Sequence, residues 1–209
     1  ELLRLAAEAG CRGVFIGFES MTPEGLRELG KKFNLLKGRN FAASVRRIQR
    51  HGIQVTGSFI LGLDVDTPGI GKRIAAVAEE YGVDSLNVLF LTPLPGTRLW
   101  TRTQQSGRLA LDSFPSDWKY YTLTFPVARY KHLSLDDAIE EMVSCNRTFY
   151  SVPRVLRRVS RTLWRWHSPL ITLVANFSYR GNLHLDCKSY ARFRVEQGRR
   201  LAREEAPKT

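Results

Sequence analysis

Three things are scarce in this chain of 209 residues, and each scarcity excludes something. Cysteine occurs three times, as Cys11, Cys145 and Cys187, odd in number and far apart. That excludes a disulfide scaffold. Long apolar runs are missing: none reaches the roughly 18 residues that a membrane-spanning helix needs. No signal-peptide pattern opens the chain. Acidic residues thin out towards the end: between Arg147 and Arg203 thirteen Lys/Arg face only Asp186 and Glu196. The remainder is about neutral, so nearly all of the formal net charge of +12 sits in that block. Such a block fits a phosphate-rich partner, an anionic lipid surface, an acidic partner subunit or a merely solvated helical face. Apolar residues themselves are not scarce: the chain is 43% hydrophobic with 11 Phe, 7 Tyr and 4 Trp, which excludes disorder as a description of the whole.

The first 110 residues alternate between two periods. Leu2 to Ala9 is helical and stops at Gly10. Gly13 to Phe18 is a short apolar run, the length of a buried strand. Thr22-Pro23 is an N-cap with proline at the first helical position. Asn40 to His51 is helical, with Phe41, Val45 and Ile48 on one face and Gly52 as terminator. Ile53 to Leu63 is a second strand, Thr67-Pro68 opens a helix to Tyr81, Leu86 to Leu91 is a third strand, and Thr97 to Ser106 is helical. Each strand is mostly apolar on both faces, as parallel strands between helices are. The order is that of a β/α array with right-handed crossovers. Three strands cannot close a barrel, and an open sheet of three exposes a long edge. Because the chain begins at Glu1 inside a helical pattern, further strands are expected upstream, in a longer protein.

Beyond Arg108 the character changes, giving an expected boundary between residues 1–110 and a helical, basic extension over 111–209. Asp112 to Tyr130 is rich in aromatics and turn residues. Ser134-Leu135-Asp136-Asp137 is a capping-box-like start for a helix to about Tyr150. Val152 to Trp166 is a basic helix broken at Ser168-Pro169. Leu170 to Tyr179 is a short apolar helix, and Tyr190 to Glu205 a polar helical tail.

In parallel β/α folds ligands gather at the C-terminal ends of the strands. Here those ends read Gly17-Phe18-Glu19-Ser20, Gly62-Leu63-Asp64-Val65-Asp66-Thr67 and Leu91-Thr92-Pro93-Leu94-Pro95-Gly96-Thr97. A carboxylate, a glycine and a rigid proline-rich turn would line one rim. Glu19 could accept two hydrogen bonds from a ribose diol, and Gly62 would let backbone approach a flat ring. Taken singly, Glu19 could equally cap the following helix, and Pro95-Gly96 could be only a turn.

Together the three segments resemble the radical S-adenosylmethionine (radical SAM) superfamily. The stretches that carry the resemblance run from Ala9 to Ser20, from Gly52 to Asp64 and from Leu91 to Leu99. They look like the fourth, fifth and sixth β/α units of that superfamily's six-unit partial TIM-like barrel. Ser106-Gly107-Arg108-Leu109, Leu133-Ser134-Leu135 and Phe149-Tyr150-Ser151 are similar to the branch that usually carries an N-terminal cobalamin-binding domain. The resemblance implies an α/β fold, the second half of a (β/α)6 barrel plus the helical extension. It implies that Glu19, with Ser20 beside it, contacts the ribose or methionyl part of S-adenosylmethionine, that Ser58, Ile60 and Gly62 lie against adenine and methionine, and that backbone near Leu91 reads adenine. Val65 stands where many relatives have glycine, a departure in the second of these segments, while Asp66-Thr67 keeps the acid and hydroxyl that follow.

The larger departure is the superfamily's Cys-x-x-x-Cys-x-x-Cys loop, whose three thiolates hold an iron–sulfur cluster. No two cysteines here are closer than 42 residues, and His51, His132, His167 and His184 show no metal-ligand spacing. No residue is therefore expected to ligate metal. Cys11 reads as core, Cys145 and Cys187 as buried structural thiols. The implied cofactors are S-adenosylmethionine, a 4Fe-4S cluster held upstream, and cobalamin in an upstream domain. The implied reaction is cleavage of S-adenosylmethionine to a 5′-deoxyadenosyl radical, with methyl transfer to an unactivated carbon as one outcome, and the chain alone would be inactive. The expected partners are a small-molecule substrate, lipid-like on one reading, and the upstream half of the same protein. Arg154, Arg157, Arg158, Arg161 and Arg165 form one stripe, read first as a helix packed on the barrel with a solvated arginine face. Membrane-surface docking through residues 152–175 comes second and nucleic acid last. The expected location is cytoplasmic, with the inner membrane face as the peripheral variant. The alternative function is a non-catalytic β/α module whose basic arm binds an anionic membrane surface or RNA. An ordinary phosphate-binding barrel would need more than the short Gly69-x-Gly71-Lys72.

Overall fold

The computed structural model describes residues 1–35, 40–163 and 169–204. Trp164, Arg165, Trp166, His167 and Ser168, which the sequence reading placed in the basic helix and its break, lie outside the described residues. The first half runs α1 (Leu2–Glu8), β1 (Gly13–Glu19), α2 (Pro23–Glu28), α3 (Phe41–Gln49), β2 (Gln54–Leu61), α4 (Ile70–Tyr81), β3 (Ser85–Phe90) and α5 (Arg98–Gln105). The second half is α6 (Leu135–Phe149), α7 (Val152–Leu163) and α8 (Pro169–Glu204), reached through a loop with a single 3-10 turn, Trp118–Tyr120.

The strands form one parallel sheet in the order β1-β2-β3. Helix starts follow local chemistry: the Thr22 hydroxyl accepts from Gly25 N, and Asn40 Oδ1 from Ala43 N at 2.8 Å. Ser134 and Asp137 make the reciprocal capping box that their spacing predicts. Helix α4 differs. It starts at Ile70, not at Thr67-Pro68, and its open N–H groups are satisfied from far along the chain. Glu141 of α6 accepts from Gly69 N at 2.5 Å and from Gly71 N at 2.8 Å.

One face of the sheet builds the core. Phe18, Val55, Phe59, Leu61, Leu86, Val88 and Phe90 are buried with Val45 of α3 and Ile74, Ala75 and Ala78 of α4. Each such large side chain contributes roughly 2 kcal/mol on leaving water. The same cluster continues through Val127, Met142, Phe149 and Tyr150 to Tyr190 and Phe193, so a single core crosses position 110.

The other face, expected to be apolar and covered, is mixed in polarity and only partly covered: Ser58 and Ser85 on it are buried. It carries Gln54, Thr56, Ser58 and Ile60 from β2 against Ser85, Asn87 and Leu89 from β3, with Thr56 Oγ1 2.7 Å from Ser85 Oγ. Phe15 of β1 stands on it 62% exposed. Alternation placed apolar residues inward at every second position, and the positions between are mixed; α8 meets this face at one end, where the Gln54 amide donates to Thr172 Oγ1 at 2.8 Å.

The two sheet edges differ as well. The free edge of β3 is sealed by side chain and loop: Tyr150 hydroxyl bonds both Leu86 N and Leu86 O, and Phe90 N donates to Leu123 O at 2.8 Å. The outer edge of β1 has no strand beside it among the described residues; side chains reach it instead, the Asn34 amide at Gly17 O and Phe18 O and Cys11 Sγ at Gly13 O.

Three sequence expectations are corrected. The short helix Leu170–Tyr179 and the tail from Tyr190 are one helix of 36 residues, α8. Its apolar spacing breaks because its inner face alternates polar and apolar: Thr172 and Asn176 are buried in hydrogen bonds, Tyr190 and Phe193 among rings. Cys11 and Cys187 are half-buried rather than core, and only Cys145 is buried. Burial pushes the Cys145 thiol up to about 12. The arginine stripe packs as expected, but its face is not simply solvated. Arg154, Arg157 and Arg158 converge on Glu79 of α4, and Arg158 is 6% exposed, its guanidinium 3.8 Å from the centre of the Phe149 ring.

Candidate functional site

Strand β1 ends irregularly. The pairing with β2 slips between Gly17 and Glu19, and Glu19 takes φ 69, a left-handed conformation that residues with a Cβ seldom adopt. The slip turns the Glu19 side chain back along the strand, and a Cβ on Gly17 would fall inside its carboxylate. Gly17 pairs with Ser58 and points away from the core side that Phe18 fills. The Glu19 carboxylate therefore shares the uncovered face with Ser58 and Ile60. It is 17% exposed and held by Lys31, Nζ to Oε1 3.1 Å. Ser58 is buried, and its hydroxyl has no hydrogen-bond partner among the described residues.

The remaining sequence-chosen residues lie elsewhere. Ser20 turns into the first turn of α2, its Oγ 3.4 Å from Thr22 Oγ1 and against Gly25. That is a local capping position rather than the open face. Gly62 has φ 101, and a Cβ there would fall inside the Tyr130 ring. Its N–H donates to Asp66 Oδ2 at 2.8 Å, as does Leu63 N at 2.9 Å. Asp66 thus knots the turn after β2. Burial pushes its carboxyl up to about 6, against the lowering effect of those two N–H donors. Leu91 continues β3, its N–H donating to Leu61 O at 2.8 Å, and lines a cavity at the strand tips.

That cavity, about 430 Å³, was not foreseen. Its apolar wall includes Leu91, Pro93, Leu99 and Tyr130. Its polar wall brings Glu28, Asp64 and Arg108 together with Arg98 and Arg102 of α5. Arg108 grips Asp64 through both terminal nitrogens, at 2.6 and 3.2 Å, and holds its carboxyl below the usual range. Glu28 accepts from Asp64 N, while burial raises its carboxyl. The available sequence signal was the pair of arginines four apart immediately after Pro95-Gly96-Thr97, which ordinary helix-surface charge resembles. Among the described residues no group of three His, Cys, Asp or Glu stands close enough to hold a metal ion. No helix among them is long and apolar enough to cross a membrane.

No family model matches the chain. It is similar to methyltransferases. Over 112 residues it is 37% identical to the hopanoid C-2 methylase of Rhodopseudomonas palustris, covering 54% of this chain and 21% of that protein. Over 166 residues it is 26% identical to the bacteriochlorophyllide d C-12(1)-methyltransferase of Chlorobaculum tepidum, covering 79% of this chain and 35% of that protein. An uncharacterised methyltransferase of Pyrococcus horikoshii is 28% identical over 149 residues, 71% of this chain and 31% of its own length. The chain thus spans a fifth to about a third of these relatives.

Proposed function

We propose that this chain is the second half of the partial (β/α)6 barrel of a radical SAM methylase acting at a carbon centre. The observation that carries it is the Glu19 carboxylate, folded over Gly17 beside Ser58 and Ile60 on the uncovered face of a parallel sheet. The relatives named for methylating C-2 and C-12(1) positions support the carbon-centred part. The free edge of β1 and the bare sheet face support further strands and an upstream half of the protein.

The residues present fit S-adenosylmethionine. A carboxylate, a serine hydroxyl with no hydrogen-bond partner among the described residues and two apolar side chains, Ile60 and Leu91, suit a ribose diol and a flat base. When bound, that group supplies the methyl and the radical chemistry of such enzymes. This chain's residues bind and orient it: Glu19 accepts from the diol, Ser58 donates or accepts at a polar edge, and Ile60 keeps water from the base. They do not fit an iron–sulfur cluster, since Cys11, Cys145 and Cys187 do not come together. The 4Fe-4S cluster and cobalamin therefore belong to the upstream part of the proposed whole. Peripheral membrane contact through residues 152–175 draws support from Val152, Leu156, Leu170, Ile171 and Val174, all exposed.

The test is S-adenosylmethionine binding by the anaerobically purified protein with its upstream sequence. Glu19→Gln should weaken binding about tenfold or more, as loss of charge-assisted hydrogen bonds does. Unchanged affinity in a folded Glu19→Gln protein, or a parent protein free of iron, defeats the reading.

A further inference from the structure

The cavity at the strand tips has an uneven charge balance. Of its two carboxylates, Asp64 is taken by Arg108 through paired hydrogen bonds, and Glu28 accepts from Asp64 N and feels the charges of Arg108 and Arg102 without an ion pair to either. Asp64 balances the charge of Arg108, and the Arg108 Nε donor is taken by Arg129 O at 3.0 Å. Two cations on the wall, Arg98 and Arg102, have neither an ion pair nor a hydrogen bond among the described residues. They stand four apart on α5, the spacing at which like charges repel on a helix. An anion between them and the wall would relieve that repulsion. The opposite wall is apolar: Leu91, Pro93, Leu99 and the face of Tyr130. The cavity thus offers a cationic lip over a greasy floor, which suits a molecule with one anionic group on an apolar body.

We propose that this cavity binds the substrate's anionic group, a carboxylate or a phosphate, through Arg98 and Arg102, while its apolar body lies on Leu91, Leu99 and Tyr130. This deepens the methylase reading and rests on it for the word substrate. The binding itself does not depend on that reading. Leu91 links the two regions, since it continues β3 and also lines the cavity. A molecule anchored by its anionic end at α5 would extend from there along the tips of the strands.

The experiment measures binding of three probes to the purified protein by calorimetry: octanoate, octyl phosphate and the neutral 1-octanol. Either or both anions should bind at least tenfold more tightly than octanol, and whichever anion binds identifies the group. Arg98→Gln with Arg102→Gln should remove that preference, and added salt should weaken it. Leu99→Asn should weaken all three probes, which separates the floor from the lip. S-adenosylmethionine affinity, weakened in Glu19→Gln, should be unchanged in the arginine double variant, so the two readings fail separately. Equal binding of octanol and the anions, or an anion preference intact in the double variant, overturns the proposal. Failure of every probe to bind overturns it too.

Discussion

The hydroxyl of Tyr150 makes both hydrogen bonds to Leu86 that a neighbouring strand would make, accepting from its N–H at 2.9 Å and donating to its carbonyl at 2.7 Å. One phenol on the last turn of α6 thereby closes the edge of β3. Burial raises its pKa far above that of a free phenol, so it stays protonated and can donate. Tyr150→Phe keeps the ring and strands two buried backbone groups. The expected cost is about 2 to 6 kcal/mol of unfolding free energy, from roughly 1 to 3 kcal/mol for each of the two unmet groups. Urea titration of the variant against the parent measures it.

Glu79 should matter more than any one of the arginines around it. It is 15% exposed and faces Arg154, Arg157 and Arg158 at 3.1, 3.0 and 3.5 Å. Glu79→Ala leaves three cations together, one of them buried, and should cost about 3 kcal/mol or more. Arg157→Ala removes a half-exposed partner from a carboxylate that keeps two others, and should cost under about 1 kcal/mol. Equal costs would show that the cluster does not hold α7 to α4.

Gly71 tests the crossing of α4 and α6. A Cβ at this position would fall on the main-chain carbonyl of Glu141, which has no rotamer with which to yield. Gly71→Ala should therefore force the helices apart, with a loss of more than about 2 kcal/mol despite alanine's better helix propensity. A control at Ala76, on the same helix, changed to Gly should cost only about 1 kcal/mol. If Gly71→Ala is neutral by thermal melting, the crossing is looser than this packing requires.

Gly71 also shows why the sequence was only partly legible. The alternation of apolar runs with glycine-terminated helical patterns located all three strands and four of the helices, because those signals are local. Glu19, Gly62 and the Pro93–Pro95 turn could be set at the strand tips because strand ends and turn residues are local too, whereas Ser58 and Ile60 were singled out only by the family resemblance. What failed came from afar. The start of α4 is set by Glu141, some seventy residues away. The continuity of α8 is set by partners such as Gln54, whose amide meets Thr172 Oγ1 at 2.8 Å. Within the arginine stripe, nothing local separated Arg158, buried against Phe149, from Arg161 on the surface. The strand-tip cavity was missed for the same reason, since its walls come from four separate stretches.

Asp66 gives a prediction in pH. It is 4% exposed, and its carboxyl rises from an ordinary 3.8 to about 6 in the folded chain. A raised folded value means that the native state holds this proton more tightly than the unfolded state does. Its contribution to stability is therefore fully present below about pH 4 and is lost as pH rises through about 6. The loss should approach 3 kcal/mol at most, from about 1.4 kcal/mol per unit. Asp66→Asn keeps an oxygen to accept from Gly62 N and Leu63 N but does not titrate. The variant should thus gain on the parent between pH 4 and pH 7, by about 2 to 3 kcal/mol in paired urea titrations. A difference that stays flat over that window would mean that the two backbone donors outweigh burial and keep Asp66 ionised throughout.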